Sequence, residues 1–287
     1  MFLPAPILFS LLILGNISLW GSVLSNENWL YVTFLDVGQG DSIFLQFPDG
    51  KTMLIDGGPR SENFDAADFF ILPFLKRKHI RHLDTIVLSH ADNDHIGGLP
   101  QILRNINVHR VVDNGIYHDS DVCRLYKYLL DSLGVEHVAV RKPMVLDSTG
   151  SCCLFALQPM KDFLRMNPDD VNNNSVVLKL IYGDRKFLFT GDIEKEAEQA
   201  LVRYGDFLQA DVLKIAHHGS STSSSEEFVR NVKPEFAVIS VSKMNRFGFP
   251  SEDVIDRLGK MRIKIARTDY NGAVIFRTNG KILERIR

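Results

Sequence analysis

Four imidazole and carboxylate side chains crowd into one short stretch of the chain. They are His90, Asp92, Asp94 and His95, and they stand between the apolar run 85–88 and the pair Gly97-Gly98. Histidine nitrogens and carboxylate oxygens are the ligands of catalytic zinc and of harder ions such as manganese. A helix cap would explain one acid, but not two acids and two histidines at this density. The stretch therefore predicts a metal site, with enough ligands for two neighbouring ions.

Two further strand ends offer the same chemical groups. Asp192 follows the apolar run 186–189, and His217 and His218 follow the run 212–216. Alone, Asp192 would more often cap a helix, and a histidine after a strand would more often bond to backbone. Three such strand ends in one chain favour a shared site, in which Asp192 suits a carboxylate that bridges two metals.

The elements that must position these groups read as strands and helices in succession. Residues 29–35, 42–47 and 52–55 form a β-meander, and amphipathic helices alternate with further strands toward the C-terminus. We expect an α+β fold with four layers, αββα, in which two sheets pack face to face and helices cover them outside. Residues 29–287 are expected to form one hydrolase domain.

Composition limits the function classes without choosing the substrate. The 287 residues carry 33 basic and 35 acidic side chains, which is a formal net charge of -2. This balance argues against a strongly cationic surface that holds nucleic acid by counterion release. Bound divalent metals would add positive charge that this sum omits, so a polyanionic substrate stays open.

The N-terminal segment, residues 1–25, is hydrophobic and has no charged residue between Phe2 and Leu24. Its length fits a transmembrane helix or anchor, which is the first interpretation. A secretory signal peptide ranks second, because a basic n-region and a clear cleavage site are missing. A buried helix ranks third. Flanking Lys and Arg are absent, so the positive-inside rule gives no orientation.

Several short motifs occur together in this chain. They are 36–41 (DVGQGD), 54–58 (LIDGG), 89–98 (SHADNDHIGG), 172–178 (NNNSVVL), 190–192 (TGD), 217–220 (HHGS) and 267–269 (RTD) with Gly272. Together they resemble the metallo-β-lactamase domain of ComEC-type DNA-uptake proteins, over the chain from about Trp29 to its end. The superfamily's usual His-x-His-x-Asp-His has Asp92 in place of its second histidine here, a variant typical of the ComEC group.

The resemblance implies two divalent ions, Zn or Mn, and a role for each motif residue. His90 and Asp92 would hold one ion, Asp94 and His95 the other, and Asp192 would bridge them. One of His217 and His218 would complete the shell; in a strand the other would face away and orient a phosphate or donate a proton. Asp94, Asp192 and His218 are the expected catalytic residues, and the expected phosphate contacts are Asn174, Ser175 and Ser220.

The implied function is a membrane-associated, metal-dependent phosphodiesterase, a nuclease that acts on DNA during competence-type uptake. Its partners would be DNA, the membrane and a multi-helix DNA channel domain or subunit, with the hydrolase domain on the extracytoplasmic side. The alternatives are hydrolysis of another phosphoester or ester, and a catalytically silent domain that binds DNA or a partner. Phe249 stands where the family usually has histidine, which predicts reduced or altered activity.

Overall fold

Two large β-sheets dominate the computed structural model, which describes residues 28–149, 152–160 and 170–287. The first sheet has the strand order β17-β16-β1-β2-β3-β6-β7-β8. Its strands are β1 Leu30–Phe34, β2 Ile43–Gln46, β3 Thr52–Ile55, β6 His82–Val87, β7 Asn107–Asp113, β8 Glu136–Ala139, β16 Val274–Thr278 and β17 Leu283–Arg285. A separate small hairpin consists of β4 Arg60–Ser61 and β5 Phe64–Asp65.

The second sheet has the strand order β15-β14-β13-β12-β11-β10-β9. Its strands are β9 Met144–Thr149, β10 Cys152–Gln158, β11 Val177–Tyr182, β12 Arg185–Phe189, β13 Val212–Lys214, β14 Phe236–Ile239 and β15 Lys264–Arg267. Both sheets are mixed. In the first, β3, β6, β7 and β8 run parallel to one another, and in the second, β12, β13, β14 and β15 do so.

Helices lie between the strands, and most of them connect parallel neighbours. They are α1 Leu72–Arg77, α2 Asn93–Ile96, α3 Leu99–Asn105, α4 Asp121–Leu133, α5 Lys195–Val202, α6 Glu226–Val232, α7 Glu252–Lys260 and α8 Thr268–Asn271. Polar caps mark the ends of the longest one: the Ser120 hydroxyl accepts the Cys123 N–H at the start of α4, and Gly134 ends it in the left-handed conformation. Among the described residues, every helix is too short or too polar to cross a bilayer. The apolar segment 1–25 lies outside the described residues.

The core lies between the two sheets. In β1, Leu30, Val32 and Phe34 are all fully buried and point to the same side, as the two-residue period of a strand requires. They meet inward residues of the second sheet, and the rings of Phe34 and Phe189 lie 6.1 Å apart between centroids. This apolar layer joins the sheets face to face.

A second apolar layer covers the outer face of each sheet. On the first sheet, Leu54 and Ile86 pack in one cluster with residues of α1, α3 and α4. On the second, Leu188 and Leu213 pack with residues of α5, α6 and α7. The predicted order of helices, sheet, sheet and helices is therefore confirmed for the described residues.

Candidate metal centre

The residues that carry chemistry lie at the carboxyl ends of parallel strands. In the first sheet, Asp56 follows β3 and the stretch His90–His95 follows β6. In the second, Asp192 follows β12 and His218 follows β13. Parallel neighbours place their carboxyl ends at one edge of a sheet, where the backbone can leave the ladder and present side chains. Both sheets contribute to the same edge, and this brings distant parts of the sequence together.

Four ligand-type side chains converge there: Asp94, His95, Asp192 and His218. His218 Nε2 lies 3.2 Å from both Asp94 Oδ2 and Asp192 Oδ2, and His95 Nε2 lies 3.3 Å from Asp192 Oδ2 and 4.0 Å from Asp94 Oδ2. Two ligands of a tetrahedral zinc, each about 2.0–2.1 Å from the ion, are about 3.3 Å apart. The spacing therefore fits one shared cation.

The hydrogen bonds of the histidines aim their Nε2 atoms at this centre. His218 Nδ1 lies 2.8 Å from the Ser240 carbonyl, and His95 Nδ1 lies 2.8 Å from Asp56 Oδ2. Both acceptors require a proton on Nδ1, so Nε2 keeps its lone pair. In the described part of the chain, the buried Nε2 atoms of both rings lack a hydrogen-bond partner. A buried, unpartnered acceptor among carboxylates fits a metal ligand.

Asp41 and Lys214 lie on the protein side of the centre. The buried Lys214 ammonium donates to Asp41 Oδ2, lies 3.4 Å from Asp192 Oδ1 and donates to the Gly191 carbonyl at 3.1 Å. Asp41, Asp56 and His95 form a second group of ligand-type residues. The Asp41 and Asp56 carboxylates already accept hydrogen bonds from Lys214, Ser89 and the His95 ring. These two residues therefore hold the ligand side chains in position from the protein side.

The electrostatics of the centre favour bound positive charge. Burial alone would lower the pKa of His218, but the Asp192 and Asp94 carboxylates outweigh it and raise that pKa to about 10. Burial likewise opposes ionisation of Asp192, yet the charges of His218, His95 and Lys214 bring its pKa well below the usual range. The carboxylates thus stay ionised and attract cations, either protons on the imidazoles or a metal ion.

His90 and Asp92 lie beside this four-residue group and are not members of it. His90 Nε2 is 3.7 Å from Asp92 Oδ2, and the His90 ring lies 4.1 Å from the His95 ring. Ser89 Oγ donates to Asp56 and lies 3.0 Å from His90 Nδ1, so the buried Nε2 of His90 is again the free acceptor. These two residues therefore present an imidazole nitrogen and a carboxylate next to the first group.

His217 points away from the four-residue group. Its Nδ1 lies 3.1 Å from Glu194 Oε1, and its ring packs edge-on against Phe249 at 5.6 Å. Two successive residues of a strand would face opposite sides, as expected for His217 and His218 from the sequence. In the structure, β13 ends at Lys214, and His217 and His218 both have left-handed backbone angles, with φ of 50° and 54°. A turn, rather than a strand, separates their side chains.

The three residues expected to contact phosphate are buried, and their side chains already form hydrogen bonds within the protein. The Ser175 hydroxyl donates to the Asn172 carbonyl and accepts the Asp192 N–H at 3.3 Å. The Asn174 side chain donates to the Asp170 carbonyl, and Ser220 Oγ lies 3.0 Å from Thr222 Oγ1. The structure thus places Ser175 and Asn174 as supports of the loop 170–175 and of Asp192.

Several side chains at the centre have no role that was predicted from the sequence. His118 Nε2 lies 2.8 Å from Asp92 Oδ1, on the loop that follows β7. Asp41 and Asp56 stood in motifs that resembled the family, and each follows or precedes a strand end, which is a usable signal. Lys214 lies inside an apolar run and carried no such signal. Its role becomes visible only from its neighbours in the fold.

These features agree with comparisons to known proteins. The model of the Metallo-beta-lactamase superfamily matches residues 35–243. The chain belongs to this superfamily. The residues matched include the whole four-residue group, so the converging side chains and the family relationship concern the same part of the molecule.

Two curated relatives link the chain to competence proteins. ComE operon protein 3 of Bacillus subtilis is 33% identical over 264 residues, which cover 88% of this chain and 33% of that protein. Competence protein ComA of Neisseria gonorrhoeae is 36% identical over 251 residues, which cover 87% of this chain and 32% of that protein. The chain therefore spans about a third of the length of these relatives.

A solved structure shares the fold. CmlA, a diiron beta-hydroxylase from Streptomyces venezuelae, superimposes with a TM-score of 0.56 at 16% identity, over 87% of this chain and 54% of that one. At this identity the likeness shows the fold alone. The predicted metallo-β-lactamase fold is thus confirmed, and so is the relationship to competence proteins.

Proposed function

We propose that this chain is a metal-dependent phosphodiesterase that acts on DNA. The observation that carries the proposal is the convergence of Asp94, His95, Asp192 and His218, with spacings that suit one shared cation. His90 and Asp92 would hold a second ion beside it, and Asp192 is the carboxylate that would serve both ions. Divalent ions bound there, Zn or Mn, would lower the pKa of a coordinated water and neutralise charge on phosphoryl oxygens.

The chain's own residues have separate tasks in this proposal. Asp94, Asp192 and His218 are the catalytic residues at the bound ion. Asp56 accepts from His95 and the Ser240 carbonyl accepts from His218, which keeps each imidazole in the tautomer that presents Nε2. His118 holds Asp92 in place through its 2.8 Å contact.

His217 is the proposed proton donor. Its side chain is 24% exposed, and Glu194 lies on its Nδ1 side. Because Nδ1 faces Glu194, Nε2 is the ring atom that would deliver a proton to the leaving oxygen.

DNA is proposed as substrate because of the relatives named as competence proteins. The carboxylate centre would repel a phosphodiester unless bound cations reverse its charge, so placement of the scissile phosphate at the centre itself depends on metal. The net charge of -2 on the whole chain gives no other general source of attraction.

The test measures hydrolysis of single-stranded DNA and metal content together. The purified chain with Mn²⁺ or Zn²⁺ should cleave the strand, chelation should stop cleavage, and re-addition of metal should restore it. Asp94→Asn should lose both bound metal and activity, whereas Asp256→Asn, an exposed aspartate on α7, should keep both.

The outcomes of this test separate the hypotheses. Cleavage that survives full chelation would contradict the proposal. Bound metal with hydrolysis of other esters but not DNA would favour another metallohydrolase. A chain that binds DNA but holds no metal would favour a silent binding domain.

We further propose that residues 1–25 attach residues 29–287, as one hydrolase domain, to the extracytoplasmic face of a membrane. The support is the uncharged, apolar character of residues 2–24. A multi-helix DNA channel domain or subunit is the proposed partner. Protease applied to intact cells should digest the domain, and digestion only after lysis would place it on the other side.

A further inference from the structure

An exposed loop that follows β14 lies beside the candidate centre and is held in one shape by a single side chain. Asn245 Nδ2 donates to the carbonyls of Ser242 and Phe249 at 2.9 and 2.7 Å. Its Oδ1 accepts the N–H groups of Phe247 and Phe249 at 3.2 and 2.8 Å. Four hydrogen bonds from one residue close the loop 242–249, so its outer side chains are preorganised rather than free to collapse.

Both ends of this loop are tied to segments that build the centre. At one end, the Ser242 N–H donates to Gln39 Oε1, two residues before Asp41. At the other, the Ser251 N–H donates to the Gly219 carbonyl at 2.9 Å, directly after His218. Gly219 packs so tightly on Pro250 that an added Cβ would lie 2.5 Å from the proline ring. The loop is therefore fixed in position relative to the metal ligands.

A series of stacked rings runs outward from the centre along this loop. The His217 ring contacts Phe249, and Phe249 stacks on Phe247 at 5.5 Å between centroids with an interplanar angle of 17°. The Arg246 guanidinium lies 5.0 Å from the centre of the Phe247 ring. Phe247 is 53% exposed, so much of its ring faces solvent.

Positive charge accompanies the exposed ring. Lys243 and Arg246 are both exposed, and neither forms an ion pair within residues 28–149, 152–160 and 170–287. The loop thus presents two unpaired cations beside an exposed aromatic ring. Aromatic faces that stack bases, flanked by cations that attract phosphates, are the usual means of binding single-stranded nucleic acid.

We propose that Phe247 and Arg246 form a stacking platform for an unpaired nucleobase, which seats a single-stranded polynucleotide with its backbone directed to the metal centre. This rests on the proposed function, since it assigns that site a single-stranded substrate. In a duplex the bases are already stacked and paired, and a ring at the protein surface cannot reach their faces. The platform therefore selects single strands over duplexes.

The test is equilibrium binding, measured by fluorescence anisotropy with the full chain in chelator, so that no turnover occurs. The probes are a labelled oligothymidine, an abasic strand of equal length and a duplex. Phe247→Ala should weaken oligothymidine binding by about tenfold, within the range that loss of one stacked base produces. Phe247→Trp should restore it, and the affinity for the abasic strand should change little.

Tyr128→Ala is the matched control, because Tyr128 is 65% exposed on α4 and lies outside the stacked series. It should bind all probes as the parent does. Equal losses on oligothymidine and the abasic strand would overturn the proposal, and so would equal binding of duplex and single strand or an unaffected Phe247→Ala. Base-dependent binding without any hydrolysis would refute the proposed function and leave the platform standing; hydrolysis with an unaffected Phe247→Ala would do the reverse.

Discussion

Asp56 shapes the candidate metal centre without belonging to the four-residue group. It accepts three hydrogen bonds: Oδ1 from the Ser89 N–H at 2.7 Å, and Oδ2 from the Ser89 hydroxyl at 2.7 Å and from His95 Nδ1 at 2.8 Å. In Asp56→Asn the side chain keeps its size, and Oδ1 can still accept from the Ser89 amide. The NH₂ group, however, would face two donors.

The expected consequence is a wrong tautomer at His95. If Nδ1 can no longer donate, the ring proton moves to Nε2, the atom that lies 3.3 Å from Asp192. Loss of such a supporting hydrogen bond typically reduces metal affinity by about 10- to 100-fold, or about 1.4–2.7 kcal/mol. We expect zinc affinity to fall by this factor, measured by competition with a chromophoric chelator.

Asp113→Asn provides a matched control. Asp113 is also buried at a strand end and accepts from Tyr117, Tyr126 and His137, but it contacts none of the proposed ligands. Each substitution removes hydrogen bonds to a buried charge, at about 1.5–3 kcal/mol each, so both proteins should unfold more easily. Only Asp56→Asn should lose metal affinity. Unchanged affinity in Asp56→Asn, or an equal loss in Asp113→Asn, would refute the reasoning.

Two further predictions concern backbone shape and pH. Gly40→Ala would place a Cβ 2.3 Å from the Asp94 carbonyl oxygen, so it should lower unfolding stability by about 1–3 kcal/mol and weaken metal binding; Gly38→Ala, with open space around its Cβ, should leave metal binding intact in the same titration. The hydrogen bond to Asp113 raises the pKa of His137, so its stabilising effect is full below about pH 6.5 and disappears as pH rises through the raised value. Urea unfolding should therefore show that His137→Gln is less stable than the parent at pH 5.5 and matches it at pH 9; a constant difference would contradict the assignment.

The layered fold could be predicted because its signals are local. The alternation in Leu30, Val32 and Phe34 depends on the two-residue period of a strand, and glycines and polar residues mark where the strands end. The alternation of strands with helices then predicted two packed sheets with helices outside. The strand-end positions of Asp94, His95, Asp192 and His218 were therefore readable before the structure was known.

The different directions of the His217 and His218 side chains could not be predicted from the sequence in the same way. Their cause is a pair of left-handed residues, and non-glycine residues rarely adopt that conformation. Periodicity carries no information about such a turn. Tertiary contacts impose it: the Ser240 carbonyl holds the His218 ring, and Glu194 and Phe249 hold that of His217.

Lys214 is the clearest example of a residue whose role could not be predicted from the sequence. Within β13 it reads as the one polar residue of a buried strand, and such a residue would ordinarily point to solvent. It is buried because Asp41 and Asp192 lie beside it, the first just before β2 and the second after β12. One ammonium cannot balance the carboxylates that meet here, so the cluster attracts further cations, either protons on the imidazoles or a metal ion. That imbalance, created only when the two sheets meet, is the physical reason to expect a bound cation at this edge.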